Sequence, residues 1–415
     1  MSMGMDSEDL VKIENGKSPT ELSVITVNCQ DKLGLACDLC RIILNFGLLI
    51  TKGDLSTDGR WCFVVFWVVP RSSSTFVQWT NLKNRLISVC PTYPIPFIDL
   101  VDPVKSKVYL LKLFSLDRNG LLHDVTRVLR NLDLSIHRVK VSTTPDGRVI
   151  DLFYITDGME LLHTRKRQDD TCEMLHATLG DSSISCEIQL AEDFQQWCSS
   201  LPACVFEELF SPELPNIKDC SQGSNTELEK LKSPSITVDN KLSPSHTLLQ
   251  IHCLDQRGLL YDILRTMKDC NMRIAHGRFS LQKRRFAGDF FIVKRDGKKI
   301  VDPEKLSALC SQLRQEMLHS LRVMFVNRGP DNELLVANPA ELCGEGRPLV
   351  FYDVTRALKV LGICIFSAEI GRHTASGREW EVYRFLLDEN TNFTLSNART
   401  KDYTVDIISR TLMGW

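Results

Sequence analysis

Three stretches of the chain carry an acid, two further residues, then glycine and leucine: Asp31-Lys32-Leu33-Gly34-Leu35, Asp117-Arg118-Asn119-Gly120-Leu121 and Asp255-Gln256-Arg257-Gly258-Leu259. Each stands where a β-prone run gives way to a helical one. Glycine there lets the backbone approach a neighbour or take positive φ, and the helix start beyond it offers amide N–H groups without intrahelical partners. Such a terminus attracts a carboxylate or phosphate, with the helix dipole adding roughly 0.3–1 kcal/mol. The acid can take an ammonium group, so the elbow as a whole complements the two charged ends of a free amino acid. The same residues also suit a structural role, with Asp capping the helix and Gly permitting tight packing.

Other reactive residues point nowhere so definite. His123-Asp124 spells the dyad of a metal phosphohydrolase, but Asp124 belongs to a repeated pattern whose other copies have Cys37, Tyr261 and Tyr352 before the acid. A metal centre needs several converging ligands. Cys37 and Cys40 form one C-x-x-C inside a helical pattern, which reads as packing. The phosphate-loop, nucleophile-elbow and zinc-protease signatures are absent from the sequence, so no catalytic residue, cofactor or metal is expected and the chain reads as a non-enzyme.

The elements that position the elbows repeat four times. Asp38–Arg41, Asp124–Arg127, Asp262–Arg265 and Asp353–Arg356 share an acid-apolar-x-arginine pattern, read as i,i+3 ion pairs on a helix surface. Around each Asp, apolar residues fall at one helical face in the same phase. Twelve positions after each stand Ile50, Ile136, Ile274 and Ile365, each in a β-prone stretch. Hairpin signals follow at Thr57-Asp58-Gly59-Arg60 and Pro145-Asp146-Gly147-Arg148. Each repeat reads β-α-β-β-α-β, a ferredoxin-like α+β sandwich with an antiparallel sheet under two helices. The expected units span 22–105, 108–195, 247–326 and 332–415. The fourth lacks a last strand, which leaves an edge uncovered, and carries Leu349 in place of the elbow glycine after an insertion at 338–348. The four aspartates are 86, 138 and 91 residues apart, and the excess falls in 199–246, a segment with five prolines and nine serines that reads as a linker. Repeats one with two and three with four are therefore the expected pairs, side by side.

Fifty basic and fifty-two acidic residues give a net charge of -2, which offers no footprint for nucleic acid or an anionic membrane. RNA-recognition modules share the element order, and residues 59–66 brush against their aromatic signature, but the matching strands do not reproduce it. The longest apolar run, 61–69, is far short of the roughly 20 residues of a membrane helix. Fifteen cysteines, with no export signal visible, read as free thiols in a reducing compartment, the cytosol or the nucleus.

The sequence D-R-x-G-L-L followed by acid-apolar-x-arginine, repeated, resembles ACT domains, in particular the plant ACT-domain repeat proteins, whose modules are similar to the regulatory C-terminal modules of bacterial uridylyltransferase. The likeness covers nearly the whole chain except its ends and 199–246. It implies a regulatory protein that binds amino acids at interfaces between paired units, beside the elbow. Taken residue by residue it nominates Asp31, Gly34, Asp117, Asn119, Gly120, Asp255 and Gly258 as ligand-binding, and Leu349 puts the fourth unit outside that pattern. The expected partners are a small-molecule amino acid, a target protein, and a second copy joined through sheet edges. A ligand-free interaction scaffold is the alternative.

Overall fold

The computed structural model of the chain describes residues 10–16, 21–72, 77–91, 107–192, 201–211, 234–318, 321–328, 331–342, 344, 346–375, 377–388 and 397–414. They belong to two compact bodies, one from 1–99 and 223–320, the other from 100–222 and 321–415. The architecture is α+β, each body being built on one eight-stranded antiparallel sheet.

In the first body, repeat one supplies β1 (Val11–Glu14), β2 (Ser23–Gln30), α1 (Leu35–Asn45), β3 (Leu48–Thr57), β4 (Trp61–Pro70) and α2 (Trp79–Val89). Repeat three supplies β9 (Ser235–Asp239), β10 (Thr247–Leu254), α6 (Leu259–Asp269), β11 (Met272–Gln282), β12 (Arg285–Lys294) and α7 (Pro303–Leu318). The strand order is β1-β2-β4-β3-β11-β12-β10-β9. Alternation along β2 and β4 turns Ile25, Val27, Val64 and Phe66 inward, and the stripe Leu35, Leu39, Ile42 and Ile43 of α1 belongs to the same buried cluster. Each such side chain contributes roughly 1.5–3 kcal/mol on burial.

In the second body, repeat two supplies β5 (Tyr109–Leu116), α3 (Leu121–Asn131), β6 (Leu134–Thr143), β7 (Arg148–Asp157), α4 (Arg165–Leu179) and β8 (Ser183–Leu190). Two further elements, α5 (Ala203–Phe210) and β13 (Arg322–Arg328), precede repeat four, which supplies β14 (Asp331–Pro339), α8 (Val350–Val360), β15 (Cys364–Ala375), β16 (Arg378–Asp388) and α9 (Ala398–Met413). The order is β13-β14-β16-β15-β6-β7-β5-β8.

The four isoleucines in register mark one feature. A register shift follows each of them directly, between Ile50 and Lys52, Ile136 and Arg138, Ile274 and His276, and Ile365 and Ser367. A β-bulge bends its strand and raises the local twist, so every repeat curves its sheet at the same place.

Three expectations about organisation are corrected. Repeat one pairs with three and repeat two with four, through β3 against β11 and β6 against β15. At the first seam Gly53 lies opposite Phe279, and a Cβ there would come within 2.4 Å of the Phe279 ring; the glycine makes room for an aromatic from the other repeat. Second, the strand expected to end repeat three, β13, instead pairs with β14 from Arg322↔Ala337 to Arg328↔Asp331, so the edge of repeat four is covered. The edge position beside the first core strand is reached from in front in three repeats, by β1, β9 and β13, and from behind only in repeat two, by β8. A short hairpin into β14 reaches that edge without a long return from the second helix. Third, 199–246 is not linker throughout: β9 lies in it, and α5 sets Val205 and Leu209 on the sheet face opposite the other helices, against Met324, Leu335, Trp380 and Val382. Much of the rest of that segment, and positions 343 and 345 of the 338–348 insertion, lie outside the described residues.

Candidate functional site

The elbows share one backbone geometry. Gly34, Gly120 and Gly258 precede their helices with φ of 79, 75 and 78°, and Leu349 takes the same left-handed conformation at 66°. The preceding acids hold the elbow through their main chain. The amides of Asp31, Asp117 and Asp255 donate to the carbonyls of Arg60, Gly147 and Arg284 at the hairpin tips, each at 2.8 Å. Their carboxylates do not cap the helices; each accepts from the next residue's amide. Burial raises all three above the ordinary carboxylate range, Asp255 up to about 6.

Two elbows are crossed by a lysine from the paired repeat. In the first body Lys268 of α6 reaches Asp38 of α1 at 2.9 Å, and in the second Lys359 of α8 reaches Asp124 of α3 at 2.7 Å. The lysine methylenes lie over the elbow glycine: a Cβ on Gly34 or Gly120 would stand 2.5 Å from Cδ of Lys268 or Lys359. Glycine is thus required both for its dihedral and for the approach of the neighbouring helix. Asp38 and Asp124, read as surface ion pairs, are instead interface groups, and Asp262 and Asp353 are buried. Asp124 is 6% exposed and also takes Arg118 at 2.8 Å, with Arg127 at 3.5 Å, because the two helices pack side by side along this face. Burial opposes its ionisation, but hydrogen bonds from Lys359 and Arg118 outweigh it and hold the carboxyl low. In repeat three Arg265, wholly buried, turns to Glu316 of α7 at 2.7 Å.

Beside each of these two elbows is a small cavity. The first, about 40 Å³, is bounded by Asp31, Lys32 and Cys37 of repeat one and Met267, Lys268 and Arg273 of repeat three. There Asp31 accepts from Thr57 Oγ1 at 2.9 Å and lies 3.9 Å from Arg273 Nε, so this acid is already answered across the seam. The second, about 20 Å³, is bounded by Asp117, Arg118, Leu122 and Asp151 of repeat two and Thr355 and Lys359 of repeat four. Asp117 has no ion pair among the described residues. His123 packs on Tyr352 at 4.9 Å and faces Thr355 Oγ1 at 3.4 Å; burial, with Lys359 adding, lowers its pKa to about 4, so the ring is neutral.

Of the nominated residues, Asp31 and Gly34 line the first cavity and Asp117 and Gly120 the second. Asn119 is exposed and lines neither, and Asp255 and Gly258, at the elbow of repeat three, are also outside both. Among the described residues no cluster of three or more His, Cys, Asp or Glu could hold a metal, and no helix is long and apolar enough to cross a membrane.

Over 421 residues, spanning the whole of both chains, the sequence is 54% identical to "ACT domain-containing protein ACR9" of Arabidopsis thaliana. The chain is a plant ACT-domain repeat protein. It is also 46% identical, again over both full lengths, to "ACT domain-containing protein ACR10" of the same plant, and 21% identical to "ACT domain-containing protein ACR8" over 92% of this chain and 80% of that one. Family models match each repeat: the ACR10 N-terminal model at 13–91, the ACT domain at 109–173, the ACR9-like, ACT-like domain at 235–331 and the ACR9 C-terminal model at 332–414.

The elbow motif alone does not reveal three residues that line these cavities. Lys268 and Lys359 stand six positions after their helix acids, where repeats one and two have Leu44 and Arg130. That contrast between repeats was the available signal. Asp151 also left a trace, as a carboxylate on the inward phase of the strand between Val149 and Phe153.

Proposed function

We propose that this ACT-repeat protein is a non-catalytic regulator that binds a free amino acid at the elbows of repeats one and two, and relays amino-acid status to a target protein in the cytosol or nucleus. The observation that carries the reading is the recurrence of one arrangement in both bodies: a left-handed glycine at a helix start, an acid and a lysine from the paired repeat around a cavity. The helix start complements a carboxylate and the acid an ammonium. Because each cavity is shared by two repeats, a ligand there changes how they pack, and a ligand that favours one packing shifts its population. The edge strands β1, β9, β8 and β13 are where a target or a second copy would pair.

The small cavities and the lysines lying over the glycines favour a second reading, a ligand-free scaffold. Thermal shift of the full chain against the twenty amino acids separates the two. A ligand at 100 times its dissociation constant adds about 2.7 kcal/mol, and at least one amino acid is expected to raise the melting temperature. No shift from any of them supports the scaffold.

A further inference from the structure

We propose that the cavity of the second body is a subsite for a primary ammonium group, held by Asp151 with Asp117; the proposal rests on the amino-acid reading above and names the end of the ligand that enters. Asp151 is on β7, paired with Leu113 and Val141 and turned toward the helices. It is 1% exposed, and neither carboxylate oxygen has a hydrogen-bond partner. A buried carboxylate without a partner costs stability in either protonation state, and a cationic donor that arrives from outside relieves that cost. The sheet registers set Val64, Gly288 and Tyr383 at the same inward place in repeats one, three and four. The acid is thus peculiar to repeat two, in the body where the elbow acid has no ion pair.

Size and charge agree with an ammonium group. The space, about 20 Å³, admits one water-sized group. Leu121, Leu122, Val141, Val149, Ile363 and Ile365 form its apolar part, and a bound cation there faces carboxylate oxygens and the Thr355 hydroxyl. The two nearby cations are committed elsewhere: Arg118 and Lys359 both lie on Asp124, at 2.8 and 2.7 Å. Burial, with Asp117 adding, raises the Asp151 pKa to about 7. The other titratable groups around it are Arg118, His123, Asp124 and Lys359, with Asp388 and Cys364 facing Asp117. His123 is already neutral and Asp124 already ionised near neutrality, so the acids that gate cation binding there are Asp151 and Asp117.

The test uses the full chain, thermal shift and calorimetry, with ammonium chloride, tetramethylammonium chloride at equal ionic strength, and the twenty amino acids as probes, at pH 8 and pH 5.5. Asp151→Asn and Asp151→Leu are compared with the wild type. The expected result is a shift from ammonium, from an amino acid or from both, none from tetramethylammonium, a weaker one at pH 5.5, and at least a tenfold loss of affinity in both variants. Unliganded, both variants should melt no lower than the wild type at pH 8. An ammonium shift without any amino-acid shift would leave the subsite standing and end the amino-acid reading. An amino-acid shift that survives in both variants would do the reverse. No shift from either probe, or variants that melt well below the wild type, would overturn the subsite.

Discussion

Replacing Gly120 by alanine tests the crossing of lysine over glycine, the arrangement common to both bodies. At φ 75° an L-residue costs roughly 1–2 kcal/mol. The new methyl would stand 2.5 Å from Lys359 Cδ, so the lysine must shift and its 2.7 Å contact with Asp124 loosen. With Lys359 about a third exposed, solvent screening limits that pair to roughly 1 kcal/mol. The expected loss is about 2–3 kcal/mol, falling to the backbone part alone when Lys359 is already alanine, a coupling of about 1 kcal/mol. Native-state hydrogen exchange over 121–131 reads the stability of the second body separately from the first. Equal losses in both backgrounds, or a loss below about 0.5 kcal/mol, would refute the reasoning. Leu349 shows that the dihedral alone is tolerable in repeat four.

Arg265→Met should cost about 3–5 kcal/mol in chemical denaturation, because Glu316 and Asp262 are left buried beside an uncharged side chain; Arg127→Met, half-exposed, should cost under about 1 kcal/mol. Gly53→Ala should destabilise the first body by about 1–3 kcal/mol through overpacking on Phe279, read from exchange over 48–57. The raised pKa of Asp151 means the folded state holds that proton more tightly than the unfolded state. The added penalty of burying its charge is therefore absent below about pH 4 and fully felt once the pH has risen through about 7. The stability of Asp151→Asn in the second body should accordingly change less between pH 5 and 8 than that of the wild type, and a parallel pair of curves would remove Asp151 as the cause.

The local architecture was legible because local physics sets it. The D-x-x-G-L spacing announces a left-handed residue ahead of a helix, and the in-phase apolar stripes announce four copies of one helix on one sheet. The pairing of repeats was not legible, since chain proximity favours one with two, whereas the sheets join by the fit of Gly53 to Phe279 and of Ala368 opposite Val141. Strand β13 was read as a strand, but its place on the sheet edge of repeat four was not legible, because a β-run carries no mark of the edge it will join. Asp38 and Asp124 looked like surface ion pairs because their partners, Lys268 and Lys359, come from about 230 residues away. Asp151 was visible as a polar break in an inward apolar row, yet its lack of a partner only the packed structure discloses.

Titration calorimetry of the full chain with each of the twenty amino acids, repeated on the Asp31→Ala, Asp117→Ala double variant, bears most directly on the role assigned to the elbows. At least one amino acid should give a saturable heat with no more than one site per body, weakened tenfold or more by the substitutions. Flat isotherms at millimolar ligand, or an affinity indifferent to the loss of both acids, would contradict it.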